Sequence, residues 1–206
     1  MHKRSRSHFL KFHLCSTIPR WLYPGKKGDG DNIIMADIPK HGDITFEDFM
    51  GVSTAYFEWA DAYDTKDWER LRRIVAPTLR IDYRSFLNKI WEAMPADEYV
   101  KMASDKTVLG NPLLKTQHFC GGSRYEKVSD SEIIGWHQLW VPHQKYKSED
   151  SKEIEVRGYA HSTNQHWYKK IDGVWKFAGL NPDIRWDEFD FDKVFQEGRE
   201  AKEIGA

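Results

Sequence analysis

The sequence predicts an α+β fold, with helices in its first half and a consecutive antiparallel sheet in its second. Three observations predict it. Apolar residues recur at helical spacing between Thr45 and Ser104. After Asn111-Pro112 three long segments rich in β-branched and aromatic residues follow one another, divided by polar turns. Asp172-Gly173 then separates two apolar runs, the pattern of a tight hairpin.

Thr45 with Asp48 three residues on resembles a capping box and opens the first helix. Phe46, Phe49, Met50, Ala60 and Tyr63 recur along it, and Tyr56 and Tyr63 share a face two turns apart. A break at Asp64-Thr65 leads into a second helix, DWERLRRIV, which Pro77 ends; TLRIDY then reads as a short strand. Residues 86–106 predict further helix, from FLNKIWEAM through a restart at Pro95 to DEYVKMAS. Segments 115–127, 131–147 and 153–170 are the long strands, and VWKFAGL at 174–180 is a fourth. FDFDKVFQEG restores helical spacing at Phe191, Val194 and Phe195, one short amphipathic helix. Helices laid across the concave side of a curved sheet enclose one cavity, lined by strand residues of one parity.

Parity nominates a wall of that cavity. Ala160, Ser162 and Asn164 share one face of the third long strand, and His161, Thr163 and Gln165 take the other. His137, Leu139, Val141 and His143 share a face of the second, provided Pro142 introduces no bulge. Small and polar residues are odd choices for a dry core, because each buried polar group needs a partner. They suit a wall that meets a ligand.

Composition narrows the classes. At 206 residues the chain fits one domain, and positions 36–200 contain no repeat or linker. With 31 basic and 32 acidic residues the net charge is −1, which implies no general attraction to nucleic acid or membrane. No apolar run is long enough to span a bilayer. Two cysteines, Cys15 and Cys120, show no zinc-like spacing and suit a reducing interior. Residues 1–34 differ from the rest, being basic with no acid before Asp29. They read as a disordered tail, or as translated sequence ahead of a start at Met35; an organelle presequence fits them only loosely. The folded domain is expected to span 35–206.

His118 in TQHFCGG and His143 in VPHQKYK carry the chemical interest, because imidazole exchanges protons near neutral pH. Each has a plain alternative as a buried structural histidine, the reading given to His137, His161 and His166. Asp64 has one as the cap of the second helix, Tyr83 as a strand aromatic, Asn164 as a sheet-edge hydrogen bonder, and Phe191 and Phe195 as core residues. His118, His143 and Asp64 could form a two-histidine, one-carboxylate iron site, but no HxD or HExxH pairing favours it. GxSxG, GxGxxG and P-loop patterns are missing, so nucleophilic serine chemistry and nucleotide cofactors are not indicated.

The blocks YFEWADAYDTKDWERLRRIVAPTLRIDYRSF, TQHFCGGSRYEKVSDSEIIGWHQL, VPHQKYK, GYAHSTNQHWYKKIDGVWKFAGLNPDIRW and EFDFDKVF closely resemble the scytalone dehydratases, cofactor-free lyases of fungal melanin synthesis. The likeness runs from about Ile44 to Arg199. It implies a cone-shaped barrel of the NTF2-like, cystatin-like type, a C-terminal helix covering the ligand, and a homotrimer. It implies a naphthalenone substrate, no cofactor or metal, no nucleic-acid partner, and a cytosolic location with vesicle association left open. His118 and His143 match the family's catalytic pair. Tyr63 and Tyr83 match tyrosines that hold a water against the substrate carbonyl, and Asn164 a residue that binds the substrate hydroxyl. Ser162 and Asp64 match polar partners of the histidines. Phe86, Met102, Val108, Val141, Leu180, Phe191 and Phe195 match the apolar lining. Two other readings stay beside this one. One is a non-catalytic carrier of a small aromatic molecule on the same fold, which needs no acid–base pair. The other is a ketosteroid-isomerase-like enzyme, whose base is a carboxylate.

Overall fold

The structure, a computed structural model, describes residues 44–198. The expected tail over 1–34 lies outside the described residues, as does the side chain of Phe86.

Helix α1 spans Phe46–Thr65. Thr45 caps it, its side chain accepting from the Asp48 amide at 3.1 Å. The second half of the expected capping box does not form. Asp48 instead accepts from Lys170 Nζ at 3.0 Å and Trp175 Nε1 at 3.1 Å, which ties the start of α1 to the sheet. Lys66 ends the helix in the left-handed conformation, its amide bonding the carbonyls of Ala62 and Tyr63. Helix α2, Trp68–Ile74, is capped by Asp67 through the Arg70 amide at 2.9 Å. Asp64 is therefore not its cap.

Strand β1, Val75–Asp82, already contains Pro77, which the sequence places at a helix end. Pro77 falls where the register between β1 and its neighbour shifts, between Val75 and Arg80. A residue with no N–H costs little ladder bonding there. Helix α3, Arg84–Leu87, is a single turn stopped by Asn88 in the left-handed conformation. The expected helix over 86–95 is replaced by strand β2, Ile90–Pro95, which pairs antiparallel with β1. Pairing to a neighbour overrides a weak local preference for helix. Helix α4, Ala96–Ala103, matches the restart after Pro95.

Strands β3, Leu114–Thr116, and β4, Phe119–Ser129, both pair with β5, Glu132–Tyr146. Strand β6 is Ile154–Ile171, and β7 is Val174–Phe189. Order across the sheet is β2-β1-β7-β6-β5-β3, with β4 also on β5; β1 and β7 are parallel and the other pairs antiparallel. The sheet does not close on itself, so the expected cone is a curved open sheet with helices filling its hollow. Pro142 pairs with Tyr159 in unbroken register, so it makes no bulge and the parity reading holds. His137, Leu139, Val141 and His143 are buried on the concave side, as are Ala160, Ser162 and Asn164. The core beneath α1 gathers Trp59, Tyr99 and Phe177, with Tyr168 behind them. Helix α5, Phe191–Val194, follows β7 near the end of the described residues. No described helix is long and apolar enough to cross a membrane.

Candidate active site

Two strand ends and one helix end create the site. Thr116 on β3 pairs with His143 on β5, and β4 does not begin until Phe119. His118 therefore lies in the gap where the partner strand of β5 changes, two residues beyond the Thr116–His143 pair. The ring centroids of His118 and His143 stand 6.5 Å apart at 77°. Both rings line one cavity of about 380 Å³, within the range of about 300–1,000 Å³ usual for small-molecule sites.

Asp64, at the end of α1, stands behind His118 rather than in the cavity. Its Oδ1 lies 2.6 Å from His118 Nδ1, and its Oδ2 accepts from the His118 amide at 2.7 Å and Gln117 Nε2 at 3.0 Å. Three bonds fix this carboxylate on the strand gap. A neutral His118 that donates Nδ1–H to Asp64 carries its lone pair on Nε2, the tautomer a base requires. Both side chains are less than one-tenth exposed, 9% for His118 and 7% for Asp64, so solvent screens the pair weakly.

His143 is held neutral by its surroundings. Burial is the main cause, His118 adds to it, and together they push His143 down to about 3. Backbone groups of Val141 and Gly158 act the other way, too weakly to reverse the shift. Its Nδ1 is buried with no hydrogen-bonded partner among the described residues. Phe191 and Phe195 flank the ring at centroid distances of 5.8 and 5.0 Å.

Tyr63 and Tyr83 supply hydroxyls on the helical side of the cavity. Burial pushes Tyr63 up to about 12 and Tyr83 well above the usual phenol range, so both keep their protons at neutral pH. Ser162 and Asn164 stand on β6, and Asn164 Oδ1 is buried with no hydrogen-bonded partner among the described residues. An unpartnered carbonyl oxygen beside a cavity is an acceptor available to a ligand. Met102, Val108, Val141, Leu180, Phe191 and Phe195 form the apolar wall. Every predicted site residue thus lines the cavity except Asp64, in the layer behind, and Phe86, whose side chain is outside the described set.

The sequence reading missed other lining residues. Trp59 lies on α1 one turn before Tyr63, and that helical spacing was the available signal. Pro182 and Ile184 line the cavity because β7 continues nine residues past the expected end at Leu180, to Phe189. Asn181-Pro182 looks like a turn, but pairing of β7 with β1 ends at Ile81–Leu180, so Pro182 meets no ladder on that side. His137 and His166 lie in the core, His137 between Ser123 and Tyr168, both bonds 2.8 Å, and neither lines the cavity. His161 is on the convex face, 2.8 Å from Glu188 and stacked on Trp186. Among the described residues no group of three or more His, Cys, Asp or Glu is placed to hold a metal ion.

Known proteins resemble this chain over most of its length. The family model described as scytalone dehydratase matches residues 43–202. The chain is 69% identical over 160 residues to a scytalone dehydratase of Colletotrichum orbiculare, covering 78% of this chain and 85% of that protein. It is 65% identical over 166 residues to a scytalone dehydratase of Pyricularia oryzae, covering 81% and 96% of the two chains. Among solved structures, an NTF2-like family protein from Streptomyces avermitilis superposes with a TM-score of 0.55 at 12% identity, covering 68% of this chain and 97% of that one. That likeness concerns the fold.

Proposed function

The chain belongs to the scytalone dehydratase family, and from that footing we propose that it is a hydro-lyase removing water from scytalone to give 1,3,8-trihydroxynaphthalene. Vermelone, with the same β-hydroxyketone, gives 1,8-dihydroxynaphthalene by the same route. Both steps belong to melanin synthesis. The observation that carries the reading is the pair of imidazoles 6.5 Å apart on one cavity, one of them oriented by Asp64.

The mechanism follows from the states of those groups. His118 Nε2 takes the C–H proton that lies between the carbonyl and the carbon bearing the hydroxyl. Negative charge moves to the carbonyl oxygen, where Tyr63 and Tyr83 hold a water as donor. Removing one such donor costs about 2.7–4 kcal/mol in a measured case. The His118 imidazolium, stabilised by Asp64, returns the proton to the departing hydroxyl, which leaves as water. The remaining ketone becomes a phenol as the ring aromatises. Acid–base groups so positioned supply roughly 10²–10⁴-fold. His143 stays neutral and holds the leaving hydroxyl by hydrogen bond, with Ser162 beside it. Asn164 Oδ1 accepts from a substrate hydroxyl. Phe191 and Phe195 cover the ring and exclude water. None of these steps draws on a cofactor or a metal ion. A pure carrier would not need a carboxylate fixed on a cavity histidine, and Asp64 is engaged with His118 rather than facing the cavity as a carboxylate base would.

We further propose a homotrimer formed through the convex face of the sheet. Phe119, Trp140, Trp186 and Phe189 are 39–54% exposed there, an aromatic surface of the kind that marks interfaces. The catalytic domain is assigned to residues 35–206, with 1–34 as a tail outside it and the enzyme in the cytosol or on vesicles. Naphthol absorbance appearing from scytalone with purified protein tests the activity. Tight binding of the substrate without turnover supports the carrier instead.

A further inference from the structure

Tyr63 reaches the cavity from a chain of hydrogen bonds that begins in the core. Trp59 Nε1 donates to Tyr99 Oη at 3.0 Å, and Tyr99 Oη bonds Tyr63 Oη. Tyr99 is wholly buried and, unlike Trp59 and Tyr63, does not line the cavity. The direction of the chain is fixed by chemistry. An indole N–H can only donate, so Tyr99 accepts from Trp59 and still carries its own proton. The acceptor within reach of that proton among the described residues is Tyr63 Oη. Were Tyr63 to donate to Tyr99 instead, the Tyr99 O–H would be buried without an acceptor, a costly arrangement. Tyr63 therefore accepts from Tyr99, and its own O–H is left to point at whatever fills the cavity.

We propose that Tyr99 is a positioning residue for the dehydration: through Trp59–Tyr99–Tyr63 it orients the Tyr63 hydroxyl as a donor to the water held at the substrate carbonyl and strengthens it. Without Tyr99 the Tyr63 hydroxyl can rotate, and half its hydrogen-bonding role turns inward or is lost. A donor that itself accepts a hydrogen bond is polarised and donates more strongly. The same bond eases the upward push of burial on Tyr63, which is the electronic signature of a donor at its oxygen.

This inference rests on the dehydratase reading, and the experiment separates the two. Single-turnover rates and KM on scytalone are measured for the native enzyme, Tyr99→Phe, Tyr63→Phe and the double variant, each with a thermal melt. A native enzyme inactive on scytalone defeats the dehydratase reading itself. With an active native enzyme, Tyr99→Phe is expected to slow turnover about tenfold, one hydrogen bond's worth, with KM within about twofold. The double variant is expected to match Tyr63→Phe alone, because Tyr99 acts only through Tyr63. Unchanged turnover in Tyr99→Phe, or losses that multiply in the double variant, overturn the proposal. Should Tyr99→Phe fail to fold, 3-fluorotyrosine at position 99 decides. It keeps shape and bond while making a stronger donor, so faster turnover is expected and an equal or slower rate contradicts the role.

Discussion

Replacing Asp64 by asparagine separates placement from charge at His118. Oδ2 accepts two N–H groups, the His118 amide at 2.7 Å and Gln117 Nε2 at 3.0 Å, so the asparagine oxygen must occupy that position. Its NH₂ group then faces His118 Nδ1, where Oδ1 stood at 2.6 Å. Two donors cannot share that contact. His118 answers by moving its proton to Nε2, the nitrogen required as base. In a protease triad the same exchange lowers kcat by about 10⁴. An independent estimate uses charge alone: opposite charges about 4 Å apart are worth about 4 kcal/mol at an effective dielectric near 20. Lost from the imidazolium state, that is about 10³ in rate. Asp64→Asn is therefore expected to lower kcat by between about 10³ and 10⁴, with circular dichroism and melting temperature little changed. Formation of naphthol from scytalone, followed by absorbance, reads it. A folded Asp64→Asn enzyme within tenfold of the native kcat would remove Asp64 from the role of orienting and charging His118.

Other consequences are equally concrete. His118→Asn removes the base and is expected to lower kcat by about 10²–10⁴ with the fold intact; near-normal turnover would remove His118 from that role. Tyr83→Phe acts on the transition state, so kcat falls more than KM rises, and a change confined to KM contradicts the enolate assignment. Gly158→Ala places a Cβ 2.2 Å from Phe191 Cα and 2.5 Å from its amide nitrogen. Rotating a side chain cannot relieve that clash, so α5 shifts and KM is expected to rise at least several-fold; an unchanged KM means that α5 does not cover the ligand. Acid stability follows from three buried histidines. Burial pushes His137 and His143 down to about 3, with His118 adding to the shift of His143, and takes His166 well below its ordinary value. Each is neutral when folded and gains a proton on unfolding below about 6.5, so stability is complete above that pH and falls as pH drops toward 3. The slope approaches three protons, about 4 kcal/mol per pH unit. Denaturant unfolding at pH 7, 6 and 5 measures it, and a flat profile contradicts the assignment.

Much of the site was legible because the sheet enforces simple rules. Once Pro142 is known to keep register, alternation alone puts His143 and Val141 on one wall and Ser162 and Asn164 on the next. Distances across the chain were not legible. Nothing in TQHFCGG states that β3 ends at Thr116, and that end is what turns His118 toward Asp64. Errors clustered where tertiary pairing overrode local preference. IWEAMP has helical residues but becomes a strand because β1 offers an edge, and NPDIRW continues β7 because β6 runs beside it throughout. Asp48 and Asp64 both looked like caps. Each instead reaches across the fold, to Lys170 and Trp175 or to His118, contacts that leave no trace in local spacing. Tyr99 was invisible for the same reason, lying 36 residues from the Tyr63 it touches.

The proposed dehydration requires His118 and His143 to act on one bound molecule. A crystal structure with a naphthalenone analogue of scytalone tests it most directly. His118 Nε2 and His143 are each expected within about 3.2 Å of the ligand or of one bridging water, with the Tyr63 and Tyr83 hydroxyls at its carbonyl end. An analogue seated away from either imidazole contradicts it.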